Sequence, residues 1–199
     1  MKNKKDPQRE PFIINARRIL SCYGFNFLEL LAVKTKLFNK LIIKLRRPVF
    51  LNDIKTAKIS KKDKVLLIGC GIFPSHTIMI AQETKADIIG IDNSKGAVKV
   101  ANKYIKKHDL SDIVKVEYGD GRFYPVKDFD IIFIAGNVFP IDDVLIHLAN
   151  NMKKGGKILS KSINYDVPKA LKNTGLEDVL TISKITENPK TQTYLIIKN

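Results

Sequence analysis

From residue 64 onward, short β-rich runs alternate with helical patterns, and this alternation limits the possible folds more than any other feature of the chain. The runs cover residues 65–68, 87–91, 113–118, 130–135 and 156–160, with helical patterns at 74–82, 95–108 and 141–152 between them. Neighbouring parallel strands need a crossover long enough to hold a helix, and strands buried on both faces read as unbroken apolar runs. The order therefore predicts βαβ units on a mostly parallel sheet with helices on both faces. A shorter helix at 167–172 leads to two last strands, 180–185 and 191–197, joined across Asn188-Pro189 as a closing antiparallel hairpin. There is no internal repeat and no low-complexity segment.

The preceding segment, residues 1–63, reads as a basic helical extension or lid on a domain spanning 64–199. Residues 1–10 are a lysine-rich tail. A helical pattern at 13–23 stops at Gly24, a residue suited to a left-handed cap. In a second pattern Phe27, Leu30, Leu31, Leu37, Phe38, Leu41, Ile42 and Leu45 recur at helical spacing, with Lys36, Lys40 and Lys44 on another face, and Pro48 predicts its end. The +15 net charge is concentrated here. Residues 1–64 hold 17 Lys/Arg against 5 Asp/Glu, whereas residues 65–199 hold 18 against 15. Such a helix packs as a lid with solvated lysines, or meets a membrane surface, RNA or an acidic partner.

At 199 residues the chain can bury a real core. Cys22 and Cys70 belong to no CxxC or Cys/His cluster, so a reduced, cytoplasmic protein without a structural metal is expected. No stretch resembles a signal peptide or an apolar run of roughly 18 residues that would span a bilayer. HExxH, Ser/His/Asp and P-loop patterns are absent.

The chemistry is expected at the carboxyl ends of the parallel strands, where open α/β sheets gather ligands. The first run ends in Gly69-Cys70-Gly71, a tight turn with room for a ligand against the main chain, or a plain strand-to-helix turn. Phe73-Pro74 stands where a dinucleotide fingerprint has its third glycine, which disfavours a pyrophosphate ligand. The second run ends in Asp92, 21 residues after Gly71, placed to accept both hydroxyls of a ribose. Asp92 could instead cap the next helix, a task open also to Asn93 or Ser94. The third run leads to Gly119-Asp120-Gly121, a further acid at a strand end or a loop turn. After the fourth come Ala135 and Gly136-Asn137-Val138-Phe139-Pro140, where Asn137 is a candidate catalytic residue beside the alternative of a simple loop. His76, in the first turn of a helix, faces the ligand or caps and is exposed, and His108 and His147 fall at and on helices.

With these residues in place, residues 64–199 resemble the class I S-adenosylmethionine-dependent methyltransferase superfamily. The likeness extends to the nicotianamine synthase branch through Gly69-Cys70-Gly71-Ile72-Phe73-Pro74, continuing into Thr77-Ile78, and through Leu67, where ordinary methyltransferases carry an acid. Residues 130–135, His147-Leu148, the 152–156 turn and Ser160-Lys161-Ser162 add to it. The resemblance implies a Rossmann-like seven-stranded sheet with a closing antiparallel hairpin. It also implies S-adenosylmethionine as cofactor, held by Gly69, Cys70, Gly71, Asp92, Asn93, Asp120, Gly121 and Ala135, with Asp120 at the adenine amino group. Phe73, Tyr118 and Tyr124 are candidate π-faces for a sulfonium.

The expected activity is methyl transfer to a small-molecule acceptor. The alternatives are aminocarboxypropyl transfer, as in the nicotianamine synthase branch, RNA modification drawing on the basic extension, and a binding module without catalysis.

Overall fold

A computed structural model describes residues 28–163, 165–188 and 191–199. The tail, the 13–23 pattern with its Gly24 stop, Cys22 and Phe27 lie outside the described residues. Seven strands form one sheet: β1 (Lys64–Ile68), β2 (Asp87–Asp92), β3 (Lys115–Tyr118), β4 (Ile131–Ile134), β5 (Lys157–Ser162), β6 (Leu180–Asn188) and β7 (Thr191–Lys198). Their order is β3-β2-β1-β4-β5-β7-β6. The first five are parallel, and β7 runs antiparallel between β5 and β6. The helices are α1 (Lys36–Ala57), α2 (Ser75–Thr84), α3 (Lys95–Lys107), α4 (Ile141–Asn151) and α5 (Val167–Thr174), with residues 28–34 forming a helical turn pair ahead of α1.

The two-residue period of a strand explains the layering. Val65 and Leu67 of β1, with Ile131 and Phe133 of β4, point to one face. There they meet Ile78 of α2, Ala101, Tyr104 and Ile105 of α3, and Ala57 of α1. Leu66, Ile68, Ile132 and Ile134 point to the other face, against Val144, Leu145 and Leu148 of α4 and Ala170 and Leu171 of α5. Because both faces are covered, the central strands carry almost no polar residue. Local signals set the helix ends: Ser94 Oγ accepts the Ala97 N–H at the start of α3. Asp166 accepts the Lys169 N–H at the start of α5, and Gly175 closes that helix with φ 67°.

The chain order reverses direction between β1 and β4, which lie side by side. This opens a crevice at their carboxyl ends, and the loops after β1, β2, β3 and β4 all deliver side chains to it.

The extension corrects the sequence reading in two places. The second helical pattern breaks at Thr35, and α1 then runs through Pro48 to Ala57 instead of ending before the proline. Proline lacks one N–H, but the half of the helix beyond it buries Phe50, Asp53, Thr56 and Ala57, and that burial outweighs one missing hydrogen bond. The predicted apolar row is also divided: Phe38 and Ile42 pack against the core beside buried Asn39, Phe50, Asp53 and Ala57, while Leu37, Leu41 and Leu45 are exposed.

Candidate functional site

The crevice is a cavity of about 740 Å³ whose floor is the Gly69–Gly71 turn and whose roof is α1. Gly69 and Gly71 have φ of 81° and 70°, the left-handed region that glycine enters without a Cβ penalty. A Cβ on Gly71 would lie 2.5 Å from a carboxylate oxygen of Glu29, so a side chain there would displace that carboxylate. The turn commits four consecutive donors inside the chain. The Gly69 and Cys70 N–H groups both donate to the Ile91 carbonyl, at 2.8 and 3.0 Å. The Gly71 N–H donates to Asp92 Oδ2 at 3.0 Å, and the Ile72 N–H to Glu29 Oε2 at 3.1 Å. A pyrophosphate would find none of these donors open, whereas a cofactor without phosphate needs none.

The eight residues expected to hold the cofactor and the catalytic candidate all line this one cavity: Gly69, Cys70, Gly71, Asp92, Asn93, Asp120, Gly121, Ala135 and Asn137. Asp92 Oδ2 holds Gly71 and Oδ1 accepts the Ser94 N–H at 2.9 Å, while Ser94 itself caps α3. Each oxygen keeps a lone pair for a further donor. Asp120 is clasped by Arg122, whose Nη2 donates at 2.7 Å and whose Nε and backbone N–H also donate, so an amino group arriving there competes with Arg122. The side-chain hydrogen bonds from Arg122 hold the Asp120 carboxyl below the usual range. Burial pushes the Cys70 thiol far up, keeping it protonated. Phe73 also lines the cavity. Tyr118 and Tyr124 do not: Tyr118 is exposed beneath Lys95, and the Tyr124 hydroxyl donates to Glu117.

Glu29, Arg46 and Lys161 line the cavity without having been among the sequence candidates, and Asp53 pairs with Lys161. Glu29, from the helical turns before α1, is only 6% exposed. Burial raises its carboxyl pKa to about 7, against opposing effects of Arg46 and of backbone donors at Phe73 and Ile72. A lone acid among Leu28, Leu30, Leu31 and Ala32 was the available signal. Asp53 of α1 is 1% exposed and takes Lys161 Nζ of β5 at 2.6 Å. His76 Nε2 stands 3.4 Å from the same oxygen, too long for a strong hydrogen bond, so Lys161 is the principal partner. Burial alone would raise the Asp53 carboxyl, but His76 and Lys161 together outweigh it and leave it below its ordinary value. His76 is packed flat on Phe50, ring centroids 4.3 Å apart, with Phe133 edge-on. This burial lowers its pKa to about 4, so it is neutral at pH 7. The expectation that His76 is exposed or caps a helix is replaced by an inward role.

Glu29 carries a signed stability prediction. A folded pKa of about 7 against 4.5 unfolded means the native state binds the extra proton, so stability is greatest below pH 4.5 and falls as pH rises through 7. The loss is about 3 kcal/mol, from 1.36 kcal/mol per pKa unit. His76 slopes the other way between about pH 4 and 6.5, so the two offset each other in the parent protein. The stability of Glu29→Gln relative to the parent should therefore rise by about 3 kcal/mol between pH 4.5 and 8, measured by urea denaturation at each pH. A pH-independent difference would refute a buried, proton-binding Glu29.

The strand order, the reversed last strand and the glycine turn with a carboxylate at the next strand end define a Rossmann-like methyltransferase fold. A family model described as a methyltransferase domain matches residues 59–196, and the chain belongs to that family; it is an S-adenosylmethionine-dependent transferase. A probable cobalt-precorrin-6B C(15)-methyltransferase (decarboxylating) of Methanothermobacter thermautotrophicus is 23% identical over 131 residues, covering 63% of this chain and 67% of that protein. Methyltransferase GfsG of Streptomyces halstedii is 27% identical over 105 residues, half of this chain and 37% of its own length. Among solved structures, an RNA methyltransferase from Salinibacter ruber with S-adenosyl-L-homocysteine superposes with TM-score 0.59 and 16% identity, over 76% of this chain and 92% of that one. A variant of the nicotianamine synthase MtNAS with S-adenosylmethionine gives TM-score 0.75 and 13% identity, over 93% of this chain and 76% of that one.

Proposed function

We propose that this chain methylates a small, metabolite-sized acceptor that enters between α1 and the carboxyl edge of β4, with Glu29 as proton acceptor. The observation that carries this reading is the position of Glu29: a carboxyl of pKa about 7, lining the same cavity as the glycine turn and Asp92. When bound, S-adenosylmethionine supplies a methyl carbon on positively charged sulfur, open to in-line attack by an acceptor nucleophile. Asp92 would hold the ribose, Gly69 to Gly71 and Gly121 would lie against the cofactor, and Asn137 would orient the acceptor beside Ala135. A cavity of 740 Å³ falls within the range of small-molecule sites and leaves space beyond the glycine turn. Near neutral pH about half of Glu29 is ionised, and it can take the proton that an amine or hydroxyl nucleophile loses.

Product analysis with S-adenosylmethionine and a panel of amine, hydroxyl, thiol and carbon acceptors tests this. S-adenosylhomocysteine is the expected product. Glu29→Gln should lower kcat by about 100-fold or more and remove an inflection near pH 7 from the kcat/KM profile. Unchanged turnover in that variant would exclude Glu29 from proton transfer.

Aminocarboxypropyl transfer is the second reading. It draws support from the Gly-x-Gly-x-x-Pro turn and from the length of the likeness to MtNAS. Coverage of 93% cannot be confined to residues 64–199, which make up about two thirds of the chain, so it includes helical residues ahead of the sheet. Release of methylthioadenosine in the same assay would favour this reading over methylation.

A further inference from the structure

We propose that α1 seats the domain on an anionic lipid surface, with the mouth of the cavity turned toward the lipid. At 100° per residue, Leu37, Leu41 and Leu45 form one row along α1, and Lys36, Lys40 and Lys44 form the next. The buried residues Asn39, Phe50, Asp53 and Ala57 occupy the opposite side. Leu37 is 82% exposed and Leu45 65%, a degree of exposure unusual for three leucines in register. The row does not stop at the helix. Leu45 lines the cavity, and so do the exposed Phe139 after β4 and Ile163 after β5. An apolar rim from three separate elements thus continues into an apolar row edged by lysines.

Charge and polarity together select the occupant. A nucleic acid would engage the lysines but would gain nothing from exposed leucines beside them. A second copy joined about a two-fold axis would bury the leucines but bring the same lysine row close to itself. An anionic bilayer serves both rows at once, taking leucine side chains at the acyl boundary and lysine ammonium groups at the headgroups. Among the described residues no helix is long and apolar enough to cross a membrane.

The test is co-sedimentation of the full chain with phosphatidylcholine vesicles, with and without phosphatidylglycerol. Binding is expected only with the anionic lipid. Leu37→Gln with Leu41→Gln should weaken it on the order of 100-fold, since each leucine removed from the acyl boundary costs about 10-fold. Lys36→Glu, Lys40→Glu and Lys44→Glu together should weaken it on the order of 100-fold, at about 5-fold for each cation near the surface. Titration of S-adenosylmethionine into each variant should be unchanged, which verifies folding and separates this proposal from the reading of the cofactor site. Failure to bind anionic vesicles overturns the proposal. So does vesicle binding that the leucine pair leaves intact, which would place the contact on another basic segment. A dimer that only the leucine pair dissolves, with no vesicle binding, would assign this face to a second copy.

Discussion

Asp92→Ala is expected to weaken S-adenosylmethionine binding by at least about 100-fold in a calorimetric titration. In the proposed cofactor site Asp92 would accept both ribose hydroxyls, and hydrogen bonds to a charged group contribute roughly 1.5–3 kcal/mol each. At about 1.4 kcal/mol per tenfold, two such bonds correspond to two or more orders of magnitude. The substitution also frees the N–H groups of Gly71 and Ser94, which Asp92 holds at 3.0 and 2.9 Å, so the turn that forms the floor of the site loses its anchor. Asp92→Asn keeps an acceptor oxygen without the charge and should fall between the two. An alanine variant within about fivefold of the parent would remove Asp92 from the cofactor site.

The second large effect concerns folding. Asp53→Ala is expected to cost about 3–5 kcal/mol, the penalty for leaving one member of a buried ion pair without its partner. Lys161 would be left with its side chain only 13% exposed and no carboxylate at 2.6 Å. Asp53 also ties α1 to β5 across the roof of the cavity, so the loss should appear as a lowered thermal midpoint. Asp53→Ala combined with Lys161→Met should recover part of it, because the second change removes the stranded charge. A single variant as stable as the parent would show that the pair does not hold α1 in place.

The two carboxylates differ in how openly the sequence displays them. Asp92 closes an apolar run at the end of β2, one strand away from a glycine turn, and parallel strands necessarily bring such ends to one edge. The same reasoning gathers Asp120 after β3 and Ala135 and Asn137 after β4, and all line one cavity with Gly69 to Gly71. Asp53 has no such local sign, and Glu29 only its place as a lone acid in an apolar stretch. Their partners are brought by tertiary packing: the Ile72 N–H is 43 residues from Glu29, and Lys161 belongs to a strand that α1 reaches only in the folded chain. Pro48 illustrates the converse, a strong local stop signal overridden by burial of Phe50, Asp53 and Ala57 beyond it.

The sheet, its reversed last strand and the line of candidate residues along one edge are legible in the order of the residues. Strand burial on both faces, glycine turns and crossover helices are properties of contiguous residues, and they leave their period in the chain. Packing between distant segments sets which side of α1 faces inward, and with it the roof of the site. It also decided the protonation of Glu29 and His76. Those depend on how completely distant segments exclude water from a carboxyl and an imidazole, and on the charges brought beside them, neither of which any local pattern records.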